Sequence, residues 1–307
     1  MTSDDPQPTA QHSSKNAAVV NQQPWHRGLL AIPPPLKRVF DKFPLVTYDA
    51  NELPLNAPRQ RNQHVLHVFT IDKDAPDGKL SFNPACAKWQ AYLKFNDIPF
   101  RTVRSSNHAS PSGMLPFLIP AGTGAKSTDP IPSNKLKKWL ALQKKSTKSH
   151  DTNDVRYEVY MSLIDSCIRK AWLFQLYLSP PNRTLLKQLY VEPCSSNFFI
   201  QQTTLYQLRQ AAEAELAKSS QSNEVAEKDI MRDAEEAFEA LSTLLDEAKG
   251  PWFAGGEQPD LFDASVFAYT HLILSDALAW KDNQLGEMLR NHPNLVQHQE
   301  RIVAAYF

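Results

Sequence analysis

The sequence predicts an α/β domain followed by an all-helical one. Three observations carry this. First, residues 64–103 alternate strand, helix and strand signals. Second, a polar turn runs into a short apolar strand that carries a proline, Leu115-Pro116-Phe117-Leu118-Ile119. Third, from Asp154 onward the apolar periodicity is helical throughout.

His64-Val65-Leu66-His67-Val68-Phe69-Thr70-Ile71 is β-branched and aromatic, and reads as a strand. His64 and His67 fall on opposite faces of it, which argues against a shared metal. Asn83-Pro84 opens a helix that runs to about Asn96, with Asn83 as its cap and Pro84 at the first position. Cys86 lies in its first turn. A helix N-terminus can lower a thiol pKa, but a small buried residue is the plainer reading, and no second Cys completes a dithiol motif. The next strand, 98–103, should lie parallel to the first, because a crossover helix joins them. In the turn at 105–114, Ser, Asn, Pro and Gly supply the chemistry. Pro116 cannot donate to a ladder. It belongs at a strand start, an edge or a bulge, or follows a cis peptide.

A loop at 121–132 leads to a helix at 133–145, with Leu136, Trp139, Leu140 and Leu142 as its apolar side. Residues 133–150 hold six lysines and no acid: Lys135, Lys137, Lys138, Lys144, Lys145 and Lys148. Such a helix can lie on an anionic membrane; a solvated face ahead of a linker at 146–154 is the plainer reading. The apolar helix at 155–178, with Cys167 inside it, is expected at the centre of a bundle. Pro180-Pro181 ends it, and Asn182 caps a short helix to Tyr190. Another helix spans 197–220. Met231, Ala234, Phe238, Leu241, Leu245 and Ala248 form a stripe suited to packing within the bundle. Asp260 and Asp263 suit the start of a helix to Ala279. Two short helices follow, at 283–290 and 294–306. At the other end of the chain, residues 1–23 are too polar to order themselves. Residues 24–62 read as an irregular, apolar-rich arm, which the sequence slightly favours docking on its own domain.

Thirty-three basic and 33 acidic residues cancel, so there is no global pull toward nucleic acid or anionic lipid. The balance is uneven locally. Residues 210–249 hold eleven acids and four bases, whereas 101–150 hold nine bases and one acid. Three scattered cysteines suit a reducing compartment, and no run is long and apolar enough to span a membrane.

A thioredoxin-like domain at 63–145 followed by an all-helical domain at 155–307 resembles the glutathione transferase fold. Leu115-Pro116-Phe117-Leu118 is similar to its cis-proline segment. Asp260-Leu261-Phe262-Asp263, after Trp252-Phe253-Ala254-Gly255-Gly256, is similar to its helix-capping motif. The helix with Cys86, the Tyr92-Leu93 pair and Pro99-Phe100, together with Ser105-Ser106-Asn107 and Ser110-Pro111-Ser112-Gly113, resembles the metaxin family more closely.

That resemblance implies a non-enzymatic subunit of the mitochondrial sorting and assembly machinery, peripheral on the cytosolic face of the outer membrane. It would need no cofactor. Its partners would be a β-barrel channel subunit, a second metaxin-like subunit and the signal of β-barrel precursors. The end at Phe307 without an anchor suits the peripheral subunit. A working glutathione transferase is the rival reading. It needs a Ser, Tyr or Cys at the first helix N-terminus and an acid plus Ser after the third strand, where Lys126-Ser127 stands. The expectation is therefore no glutathione binding. A cytosolic adaptor on the same fold is a third reading.

Overall fold

The parallel pair and its crossover form the base of the α/β half. The computed structural model describes residues 60–123, 129–143, 155–218 and 226–307. The expected tail, all of the arm before residue 60, the linker, and Lys126, Lys144 and Lys145 lie outside the described residues. Strand β1 (Gln60–Arg61) pairs with β5 (Gly122–Thr123). β2 (His64–Val68) and β3 (Phe100–Arg104) are parallel, with Leu66 opposite Thr102. Helix α1 (Pro84–Phe95) makes the crossover. β4 (Phe117–Ile119) is antiparallel to β2, with Leu118 opposite Leu66, and β6 (Ile131–Pro132) is antiparallel to β4. The sheet order is therefore β3-β2-β4-β6. Within the inner strands, Leu66 and Val68 of β2 and Leu118 of β4 are fully buried.

The turn before β4 is held from within. Asn107 Oδ1 accepts the Leu115 amide at 3.0 Å, and the Ser110 hydroxyl donates to the Met114 carbonyl at 2.6 Å. Gly113 takes φ +72°, which favours glycine. The Leu115–Pro116 peptide is cis, and Pro116 stands just before β4.

Helix α2 (Ser133–Gln143) sends Leu136 and Leu140 into the core of the sheet half. Leu142, expected on that apolar side, is exposed instead. It follows Leu136 by six residues, about 600° of helical rotation, which carries it round to the outer face.

The helical half begins with α3. It runs from Val155–Leu163 through π-helical turns at Ile164–Ile168 and Phe174–Leu178, with Arg169–Leu173 between them. It is less central than its composition suggests. Ile164, Ile168, Trp172 and Leu176 are buried, Val159 is exposed, and Cys167 is only half-buried at the edge of the core.

Then come α4 (Arg183–Leu186, continued by a π turn over Lys187–Val191) and α5 (Phe198–Ala217). They are followed by α6 (Glu227–Glu247), α7 (Leu261–Leu274), α8 (Gln284–Arg290) and α9 (Pro293–Tyr306). The stripe on α6 packs within the molecule: Met231, Ala234, Phe238, Leu241 and Leu245 are all buried. α7 stops at Leu274, short of the expected Ala279, because Ser275 leaves the helix and Ala279 adopts a left-handed φ of 49°.

Asn182 precedes α4 but does not cap it with its side chain. The side chain turns inward instead. It donates to the Gln175 and Asp282 carbonyls at 2.9 and 2.8 Å, and accepts the Lys281 and Asp282 amides at 3.1 and 3.2 Å. Sequence spacing shows a cap candidate; only the approach of residues about a hundred positions away reveals the alternative.

The two halves share their cores. Ala87 of α1 packs into the helical core, while Ala264 and Phe267 of α7 and Ile302 of α9 pack into the core of the sheet half. α1 therefore has the sheet on one side and α7 on the other, and it is buried almost throughout.

Candidate functional site

In a thioredoxin-like fold, the head of the first helix is where reactive chemistry is expected. Here that position is occupied by groups that satisfy one another. Asn83 Oδ1 caps α1 by accepting the Cys86 amide at 3.2 Å. Its amide nitrogen donates to the Tyr190 hydroxyl at 3.0 Å, reaching across to the helical half. Ser81 is fully buried. Its hydroxyl donates to the Phe69 carbonyl and accepts the Asn83 amide, and its own amide donates to Gln90 Oε1 at 2.8 Å. Gln90, also fully buried, donates to the Lys79 carbonyl. A buried network whose members pair with one another is rigid.

Cys86 is fully buried, and its desolvation pushes the thiol up to about 12. The helix N-terminus acts in the opposite direction, and burial prevails. Burial likewise raises the Tyr190 hydroxyl well above its ordinary value. Tyr190 packs edge-on against Phe69 and Phe82, at 5.3 and 5.1 Å between ring centroids. The sequence offered no sign that Tyr190 would complete this cluster, because it lies 107 residues from Asn83.

His64 and His67 do separate, as the strand period requires. His64 Nδ1 accepts the Ala121 amide at 2.8 Å, while His67 stacks on Phe117 at 4.3 Å. Among the described residues, no group of three His, Cys, Asp or Glu side chains could hold a metal. The chain makes β5 and β6 before α2, whose first turn brings Ser133 and Asn134 but no carboxylate.

The second cluster lies at the head of α7. Asp260 Oδ1 accepts the Phe262 and Asp263 amides at 2.7 and 3.0 Å, and Asp263 Oδ2 accepts the Asp260 amide at 2.9 Å. This is a reciprocal capping box. Asp263 Oδ1 also accepts the Phe253 amide at 3.2 Å and meets His298 Nε2 at 2.8 Å, so the aromatic turn and α9 are fastened to the same carboxylate. Burial, and next the charge of Asp263, raise the Asp260 carboxyl to about 7.

On α2, Lys135, Lys137 and Lys138 are exposed, and Trp139 is half-buried with its ring edge-on to His64 at 5.2 Å. Leu136 and Leu140 face the core. The helix therefore shows solvent a charged face, with Leu142 as its one large exposed apolar residue. Among the described residues, no helix is long and apolar enough to cross a membrane.

Two family models match this architecture: a glutathione S-transferase N-terminal domain over residues 84–182, and a glutathione S-transferase C-terminal domain over 234–302. The chain has the glutathione transferase fold. A curated relative, the mitochondrial outer membrane import complex protein metaxin of Arabidopsis thaliana, is 24% identical over 241 residues, covering 78% of this chain and 73% of the relative. The chain is similar to that metaxin and has the glutathione transferase fold. Solved structures similar to it include a glutathione S-transferase of Ceriporiopsis subvermispora in complex with glutathione (15% identity, 80% of this chain and 98% of that one, TM-score 0.49). Another is the beta-etherase LigF of Sphingobium sp. strain SYK-6 (14% identity, 78% and 94%, TM-score 0.47).

Proposed function

We propose that this protein is a non-enzymatic subunit of the mitochondrial outer-membrane sorting and assembly machinery. It works at the cytosolic face of the membrane as a peripheral subunit and helps recognise and insert β-barrel precursors. Its partners are a β-barrel channel subunit and a second metaxin-like subunit.

The observation that carries this reading is the state of the α1 head. Cys86 is buried, which raises its thiol, and Ser81, Asn83 and Gln90 are bound to one another or to backbone. A site that activates a peptide thiol needs an exposed group to hold the thiolate. What remains useful is surface. The lysines of α2 and the acids of α6 present opposite charges, which can orient the protein against its partners. The lysines act here by charge alone, because Leu136 and Leu140 face inward.

The test is purification of the tagged chain from mitochondrial outer membranes in mild detergent. Co-purification of a β-barrel channel subunit is expected. A protein found only in the soluble cytosolic fraction would favour the adaptor reading. Calorimetry should show no heat of glutathione binding; sub-millimolar affinity would point to an enzyme.

A further inference from the structure

Strand β3 stands at the edge of the sheet, because the order β3-β2-β4-β6 gives it a neighbour on one side only. In a parallel pair, a residue turns its amide and its carbonyl to the same neighbour, and the next residue turns them the other way. The Ser105 amide donates to the Val68 carbonyl at 2.9 Å, and the register sets Val68 opposite Arg104. Arg101 and Val103 therefore face β2, whereas Phe100, Thr102 and Arg104 turn their backbone groups outward. Among the described residues, these outward amides and carbonyls have no backbone partner. The Thr102 hydroxyl, buried on the same strand, is likewise unpaired among the described residues.

Sheet edges are commonly blunted by proline, a bulge or a row of charges. β3 holds no proline, and its five pairs with β2 run in continuous register. Of its two charges, Arg104 is drawn aside to Asp72 and to the Pro193 carbonyl, each at 2.7 Å. A cavity of about 690 Å³ runs beside the edge. All of β3 lines it, together with Asp72 and residues 75–78 of the turn after β2. That turn is held from within. The Asp74 and Ala75 amides donate to the Ile71 carbonyl at 3.1 and 3.2 Å, and the Lys79 ammonium meets Asp74 at 2.7 Å. The groove is thus preformed.

The hydrogen-bond repeat indicates the occupant. Donors and acceptors that recur at every second residue are matched by an extended polypeptide. A second copy of β3 suits the edge poorly. It would set the two arginines of each strand along one seam with no acid between them, and like charges across a ladder repel. The groove itself offers both signs, through exposed Arg101 and exposed Asp77, so a strand of mixed charge fits it better.

We propose that the β3 edge receives an unpaired strand of a client polypeptide, which joins the sheet beside β3. The inference rests on the proposed handling of β-barrel precursors and assigns the surface that reads them. Before insertion their strands lack neighbours, and backbone pairing recognises that state whatever the side chains.

The test is fluorescence anisotropy of the full chain with a labelled peptide copied from the last strand of a mitochondrial β-barrel protein. The wild type should bind it. The same peptide N-methylated along its backbone should bind about tenfold more weakly or less. Thr102→Pro should also abolish binding, and its circular dichroism should be unchanged, because the Thr102 amide makes no ladder bond. Should that variant fail to fold, the methylated peptide still decides. Equal binding of the two peptides overturns the proposal. So does a wild type that ignores the unmodified peptide. A wild type that dimerises through an edge lost in Thr102→Pro would give the site to a second copy, and overturns it too. Co-purification with the channel subunit is scored separately: its persistence without peptide binding removes the edge site and leaves the proposed function standing, whereas its absence removes the function.

Discussion

His298 Nε2 lies 2.8 Å from Asp263 Oδ1, although 35 residues separate them in sequence, and neither side chain has any exposed surface. The same carboxylate caps α7 and holds the Phe253 amide. One buried group thus ties together the aromatic turn, α7 and α9. Asp263→Ala would leave His298 and the backbone amides of Phe253 and Asp260 without their partner. A loss of about 3–5 kcal/mol is expected, read from urea unfolding. Loss below about 1 kcal/mol would mean that the carboxylate is dispensable.

Asp260 gives the box a pH dependence. Its folded carboxyl titrates near 7, raised by burial and then by Asp263. In the unfolded chain it titrates near the ordinary value of about 4. Between those values the folded state holds the extra proton, so this group's contribution to stability is full at low pH and declines as pH rises through about 7. Asp260→Asn keeps an acceptor for the cap and removes the charge. Unfolding midpoints near pH 5 and near pH 8 should fall less between the two conditions for the variant than for the wild type. An identical fall in both proteins would locate the dependence elsewhere.

The cysteines should separate by access. Cys194 is exposed, Cys167 half-buried and Cys86 buried, with its thiol near 12. A brief pulse of iodoacetamide on the native protein, read by mass spectrometry of peptides, should label Cys194 first. Cys86 should be labelled only in denaturant. Rapid labelling of Cys86 under native conditions would show that the α1 head opens readily.

Asn182→Ala should remove four hydrogen bonds at a fully buried position. The expected cost is about 2–4 kcal/mol, because backbone groups at Gln175, Lys281 and Asp282 lose their partner. Thermal unfolding gives the total. Hydrogen exchange should show faster exchange at the Lys281 and Asp282 amides, which would place the loss at this junction.

Local chemistry made much of the architecture legible. Asn83-Pro84 announced a capped helix, and the crossover required β2 and β3 to be parallel. The three-and-four stripe on α6 required a buried face, and Asp260 with Asp263 marked a helix start. These signals arise from backbone geometry within a few residues, so sequence spacing carries them. Long-range pairing is different. Tyr190 against Asn83, Asn182 against Lys281 and Asp282, and His298 against Asp263 join positions far apart in the chain, and no local period encodes such meetings.

The same division holds for function. The sequence by itself determined the order of elements, the charge contrast between 101–150 and 210–249, and the motifs of the metaxin-like resemblance. Only the tertiary structure decided which apolar residues are interior. It turned Leu136 and Leu140 of α2 inward and left Phe198, Phe199 and Ile200 of α5 outside. It also sealed Cys86 beneath the junction of the two halves. The reason is physical: burial depends on what packs against a side chain, and that neighbour is brought there by the fold.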